Sequence, residues 1–184
     1  MRAELAAFGV HTDLRFVWSV DGSGVEDDAP RVVHLHRGVL AGTRAPARVR
    51  ELAERVVALD MISVIRHEVG HALLFLDPRA AATPGFRALF GDVTKRYRVS
   101  GSLGEVSKRF RHHRGLANPR YRRVVSLYAA SHPHEAFAEA VRVALATGGD
   151  AGRIAGWTAA HGVDPVVGAQ IRYAADWLAG YRAR

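Results

Sequence analysis

The sequence predicts an α+β fold, a small β-region followed mostly by helices. Three observations carry that prediction. Two short stretches rich in β-branched and aromatic residues lie near the start, DLRFVWSV at 13–20 and RVVHLHR at 31–37. From about residue 46 onward, apolar residues recur at helical spacing. Prolines and glycines then punctuate the ends of these segments, where helices start and stop.

The polar run DGSGVEDDAP between the two strand-like stretches is turn chemistry, so a hairpin is expected there. Pro46 occupies a first helical position, and an amphipathic helix is expected over 47–59. A second helix should span 61–76 and stop before Asp77-Pro78, because the residue before proline resists helical geometry. In the glycine-containing stretch that follows, FRALF suggests a short helix. Helices over 133–146, 151–160 and 165–181 complete the pattern, the first ending at Gly148-Gly149. In the last, Val166, Gln170, Tyr173, Trp177 and Tyr181 fall at helical intervals and read as a core face.

At 184 residues the chain is expected to form one domain, residues 1–184, with room for a core that needs no staples. Its 48% apolar and 24% charged residues are ordinary for a globular protein. There is no cysteine, which excludes disulfides and thiolate metal sites, so any metal must be held by histidine and carboxylate. The start lacks the apolar run of a signal peptide and no later segment is apolar enough to span a membrane. A cytoplasmic location and a monomer are the default expectations. The net charge of +8 is concentrated between Lys95 and Arg123, where ten lysines and arginines face Glu105 alone, a local +9. The remaining residues, 16 basic against 17 acidic, sum to −1. Such a segment attracts nucleic acid or an acidic partner. No nucleic-acid-binding motif accompanies it, so a solvated arginine-rich surface is the favoured reading.

The chemistry is concentrated in VIRHEVGHALL, residues 64–74. Four residues apart on a helix, His67 and His71 share one face, with Cβ atoms about 5–6 Å apart, and both can aim a ring nitrogen at one ion. Glu68 lies about 100° further round the helix, beside that ion, where a general base would take a proton from a water. Ile62, Ile65, Val69, Ala72, Leu73 and Leu76 make the other faces apolar, so the helix belongs in the core. Burying two histidines and a glutamate there is costly unless something satisfies them, and zinc would. A catalytic zinc needs a third protein ligand. The stretch SLYAASHPHEAFAEAVRV at 126–143 offers Glu135 and Glu139, again four apart and flanked by apolar residues. Either can ligate while the other accepts the second ring N–H of a ligating histidine. His132 and His134 compete for the third position, but at the start of a helix they fit capping or surface roles equally well.

RHEVGH, FRALFGD and YAASHPHEAFAEA together resemble the bacterial zinc-binding metallopeptidases that share an R-H-E-x-G-H helix and a downstream Y-A-x-x-H-P-x-E-x-x-A-E block. The downstream block is also similar to the protease domain of anthrax lethal factor, within the gluzincin class. The resemblance covers about residues 60–145. It implies a zincin-like fold, zinc on His67, His71 and Glu135, Glu68 as general base, Glu139 orienting a ligating histidine, and Tyr128 donating its hydroxyl to the oxyanion. The cysteine-rich ribbon that many members carry ahead of the protease region has no counterpart in this cysteine-free chain.

The expected function is therefore a zinc-dependent metalloendopeptidase acting on a peptide or protein. Glu68 would take a proton from a zinc-activated water and deliver it to the leaving amine. Substrate would lie as an extended strand along a sheet edge formed by 31–37, from which His34 and His36 point the same way. The alternative is a catalytically idle, zinc-stabilised protein whose basic 95–123 segment binds nucleic acid or an acidic partner.

Overall fold

The computed structural model of the chain describes residues 1–19, 23–26, 28–36, 60–96 and 119–181. The helix expected over 47–59 and most of the basic segment, residues 97–118, lie outside these. Within them the architecture is α+β, a three-stranded sheet and a mainly helical remainder.

A short helix that the sequence did not advertise, α1 (Arg2–Ala7), precedes strands β1 (Arg15–Ser19), β2 (Gly24–Val25) and β3 (Val32–His36). The sheet order is β1-β3-β2. β1 runs parallel to β3, with Phe16 opposite Val33 and Trp18 opposite Leu35. β2 is antiparallel to β3. The expected hairpin between the first and last of these strands is thus corrected. The turn-like linker itself contains the two residues that take the antiparallel place, and β1 adds on the other side. β3 is consequently the middle strand, so the substrate edge expected at 31–37 is corrected too. Among the described residues the strand edges belong to β1 and β2. Alternation along β3 buries Val33 and Leu35 and leaves His34 and His36 together on the opposite face.

Helix α2 (Met61–Leu76) has the predicted bounds. The Asp60 carboxylate caps it by accepting from Ser63 N at 2.9 Å, and the helix ends at the residue preceding Asp77-Pro78. It packs on β2 and β3 on one side. Arg66, the residue before His67, reaches α1 through two bonds to Glu4, Nε–Oε2 at 3.1 Å and Nη2–Oε1 at 2.7 Å. α3 (Pro84–Phe90) contains FRALF and is capped by Thr83 Oγ1, which accepts from Phe86 N.

After a 3₁₀ turn at Tyr128–Ala130 comes α4 (Pro133–Thr147), the most enclosed of the described helices, buried along nearly its whole length. It ends at Gly148, whose φ of 63° is the left-handed conformation that glycine adopts without penalty. α5 (Ala151–Ala160) and α6 (Pro165–Gly180) close the described chain, and α6 packs against α3, α4 and α5. The core face of α6 is turned slightly from the one expected. Val167, Ile171, Ala174 and Leu178 are buried, whereas Val166, Tyr173 and Trp177 lie at its margin, where their length lets them close over the core. Gln170 and Tyr181 are buried as expected. Among the described residues no helix is long and apolar enough to cross a membrane.

The contact that positions the site is α2 against α4. The approach is tight at Gly70, in the middle of α2. A Cβ there would lie 2.8 Å from Ala138 Cα and 3.2 Å from Val141 Cβ. Only the absence of a side chain lets the two backbones approach this far.

Candidate metal centre

The i, i+4 spacing puts His67 and His71 on the face of α2 that meets α4, and the same spacing turns Glu135 and Glu139 back toward them. All four are buried, Glu139 completely. Three ligand atoms converge. His67 Nε2 and His71 Nε2 are 3.1 Å apart, and Glu135 Oε2 is 3.1 Å from the first and 3.0 Å from the second. Among the described residues this is the group of histidines and carboxylates able to hold a metal.

The donor set fits zinc. Ligand atoms on a tetrahedral zinc with bonds of about 2.0–2.1 Å are about 3.3 Å apart, close to the observed triangle. Two imidazoles and one carboxylate are also an ordinary ligand set for a catalytic zinc. A carboxylate oxygen and two imidazole nitrogens that point at one another in a buried place need positive charge between them, either a proton on a ring nitrogen or a metal cation. One ring nitrogen, His71 Nδ1, is buried with no hydrogen-bond partner among the described residues.

Glu139 stands behind His67. Its Oε1 is 2.8 Å from His67 Nδ1. An ionised carboxylate only accepts, so Nδ1 carries a proton, and it is Nε2 whose lone pair the neutral form of the ring would offer to a metal at the shared point. Arg142, one turn further along α4 and 2% exposed, donates to the same carboxylate, Nε to Oε1 at 3.2 Å and Nη2 to Oε2 at 3.1 Å.

Electrostatics follow from this packing. Burial would lower His67, but hydrogen bonds to Glu135 and Glu139 outweigh it and raise the imidazole to about 10. Burial would raise Glu135, but His71 and His67 hold it far below the usual carboxylate range. Burial acts the same way on Glu139, and Arg142 and His67 bring it down to about 2. In Glu68 burial prevails and its carboxyl is raised, with His67 and His71 opposing and Glu135 and Glu139 assisting. The site is thus a cluster of carboxylates that attracts positive charge strongly, with one carboxyl beside it shifted toward neutrality.

Tyr128 flanks the cluster, its ring 5.6 Å from that of His67 and tilted. Its 3₁₀ turn is pinned by Ser131 Oγ donating to the Tyr128 carbonyl at 2.6 Å and by Ala129 N donating to Ser126 Oγ. The competing histidines are placed elsewhere. His132 is the N-cap of α4, its Nδ1 accepting from His134 N and its Nε2 donating to the Lys95 carbonyl at 2.7 Å. The ring of His134 packs edge-on against Phe75, which stacks on His71.

Sequence reasoning passed over three residues of this site. Gly70 is a glycine inside an otherwise good helix, a signal of close approach. Phe75, four residues after His71, covers its ring. Arg142 left only a weak trace, a lone cation among the apolar residues of AEAVRVALA.

A family model described as "Putative zinc-binding metallo-peptidase" matches residues 43–165. No curated protein and no solved structure matches the chain.

Proposed function

The chain belongs to the "putative zinc-binding metallo-peptidase" family, and on that premise we propose that it is a zinc-dependent metalloendopeptidase of the gluzincin type, with a zincin-like fold. The observation that carries this reading is the buried triangle of His67 Nε2, His71 Nε2 and Glu135 Oε2, with edges of 3.0–3.1 Å. These three atoms would hold the metal. When bound, zinc supplies a Lewis acid that makes a water nucleophilic near neutral pH and polarises a peptide carbonyl.

The remaining work falls to side chains. Glu68 is the general base. Burial raises its carboxyl toward the working pH, which suits a group that must accept a proton from the attacking water and return it to the leaving amine. Glu139 holds the proton on His67 Nδ1 and so fixes the ring's tautomer and orientation. Phe75, stacked on His71, keeps that ring in place and water away from one of its faces. Tyr128, beside His67, is the donor for the negative charge that develops on the carbonyl oxygen.

The test is metal content. Protein purified without added metal should carry about one zinc per chain, the stoichiometry of a three-ligand site, and His71→Ala and Glu135→Ala should lose it. Wild type that takes up no zinc when the ion is supplied would refute the assignment.

A further inference from the structure

Arg142 is among the largest fully buried side chains described, on a helix whose neighbouring residues Val141, Val143, Ala144 and Leu145 are all buried. A guanidinium in such a place is costly, and an apolar side chain of similar volume would fill the space at lower cost. Its position is therefore informative. Glu135, Glu139 and Arg142 fall at i, i+4 and i+7 on α4 and form one stripe. A chain of contacts runs from the helix interior to the ligand triangle, with Arg142 Nη2 to Glu139 Oε2 at 3.1 Å, Arg142 Nε to both oxygens at 3.2 and 3.3 Å, and Glu139 Oε1 to His67 Nδ1 at 2.8 Å.

Building on the metallopeptidase reading, we propose that Arg142 is a positioning residue for the metal centre. Its planar fork fixes the plane of the Glu139 carboxylate, so that Oε1 meets His67 Nδ1 and His67 Nε2 is aimed at the point shared with His71 and Glu135. A histidine alone would hold that carboxylate at one oxygen and leave it free to swing about its last torsion. Contact with the guanidinium at both oxygens removes that freedom. A point-charge ammonium compensates the carboxylate's charge but cannot set its plane. The neighbouring ligand Glu135 reaches the triangle directly from the same helix, so the effect is transmitted through His67.

The experiment compares wild type, Arg142→Lys, Arg142→Met, Glu139→Ala and the double variant Arg142→Met/Glu139→Ala. Zinc affinity is measured by chelator competition, the visible spectrum is recorded with cobalt in place of zinc, and unfolding of each metal-free protein is followed. Arg142→Met should weaken zinc binding by about 10–100-fold, the range for loss of a residue that orients a ligand, and should alter the cobalt spectrum. Arg142→Lys should lie between it and wild type. The double variant should bind no worse than Glu139→Ala alone, because both changes remove one device. If Arg142→Met does not fold, Arg142→Lys decides by the same affinity and spectrum. Wild-type affinity and spectrum in the Arg142 variants, with only unfolding shifted, would overturn the proposal and leave the metal site standing. Absence of zinc binding by wild type would overturn both.

Discussion

Replacing Gly70 by alanine adds one methyl group where α2 and α4 approach closely, and two effects then compete. Alanine is favoured over glycine inside a helix by about 1 kcal/mol. Against this, the new Cβ would sit 2.8 Å from Ala138 Cα, where carbon–carbon contacts settle at about 3.5–4.0 Å. The opposing atom is backbone and cannot rotate aside. The helices must separate by about 0.7 Å or more, at the upper end of the roughly 1–3 kcal/mol that overpacking costs. The net is destabilisation by about 2 kcal/mol, a fall in Tm of about 4–8 °C for a chain of this size. The same shift stretches the His–Glu edges of the ligand triangle from 3.0–3.1 Å to beyond the tetrahedral spacing, so zinc affinity should drop by at least about 10-fold. Thermal unfolding of the metal-free protein and chelator competition measure the two consequences. Ala138→Gly in the same background should not rescue, because it removes the Cβ and leaves the Cα in place. A Gly70→Ala protein that is stabilised, or that binds zinc like wild type, would refute the close-approach argument.

Other substitutions and conditions separate the roles. Glu68→Gln should keep zinc and lose peptide hydrolysis by about 10²–10⁴-fold, and full turnover would remove Glu68 from the mechanism. Tyr128→Phe should lower kcat by about 10²-fold with metal content unchanged, whereas an unaltered rate would make Tyr128 a packing residue only. The metal-free protein should be most stable between about pH 4.5 and 6.5. The raised His67 contributes fully below its ordinary 6.5 and loses its contribution as the pH climbs through about 10. Glu139, depressed to about 2, contributes above 4.5 and loses its contribution as the pH falls toward that value. Glu68, raised by burial, adds a cost as the pH rises above 4.5. Urea midpoints across pH check the window, and a metal-free optimum above pH 8 would contradict it. Because metal requires a neutral His67 ring, zinc binding at pH 7 should also release about one proton, measurable by calorimetry in buffers of different ionisation heat.

The elements that hold the site were the most legible in the sequence. α2 announces itself through its apolar spacing and the stop at Asp77-Pro78, and α4 through Pro133 at its start and Gly148 at its end. The sheet was read less well. Period-2 alternation identifies strands but carries no information on pairing direction, and a two-residue strand such as Gly24–Val25 is too short to rise above turn chemistry. α1, at six residues, is likewise too short for a periodic signal. On α6 the aromatic spacing drew attention to the margin of the buried face, because large rings cover the core from its edge as readily as from its centre. In the site, residue type and spacing were enough to bring His67, His71, Glu135 and Glu139 forward as a group. They could not reveal that Arg142 turns inward, since a lone arginine in a helix is usually at the surface.

The distance along the chain between the converging atoms has a consequence beyond chemistry. His67 and His71 are separated from Glu135 by 68 and 64 residues. A cation shared by these side chains is therefore a cross-link, closing a loop of more than a third of the protein. In the chain-entropy description, a tie of this span disfavours the unfolded ensemble by about 4 kcal/mol. Loading and unloading would then govern how long the molecule persists as well as whether it can act, and metal supply would set the lifetime of this fold.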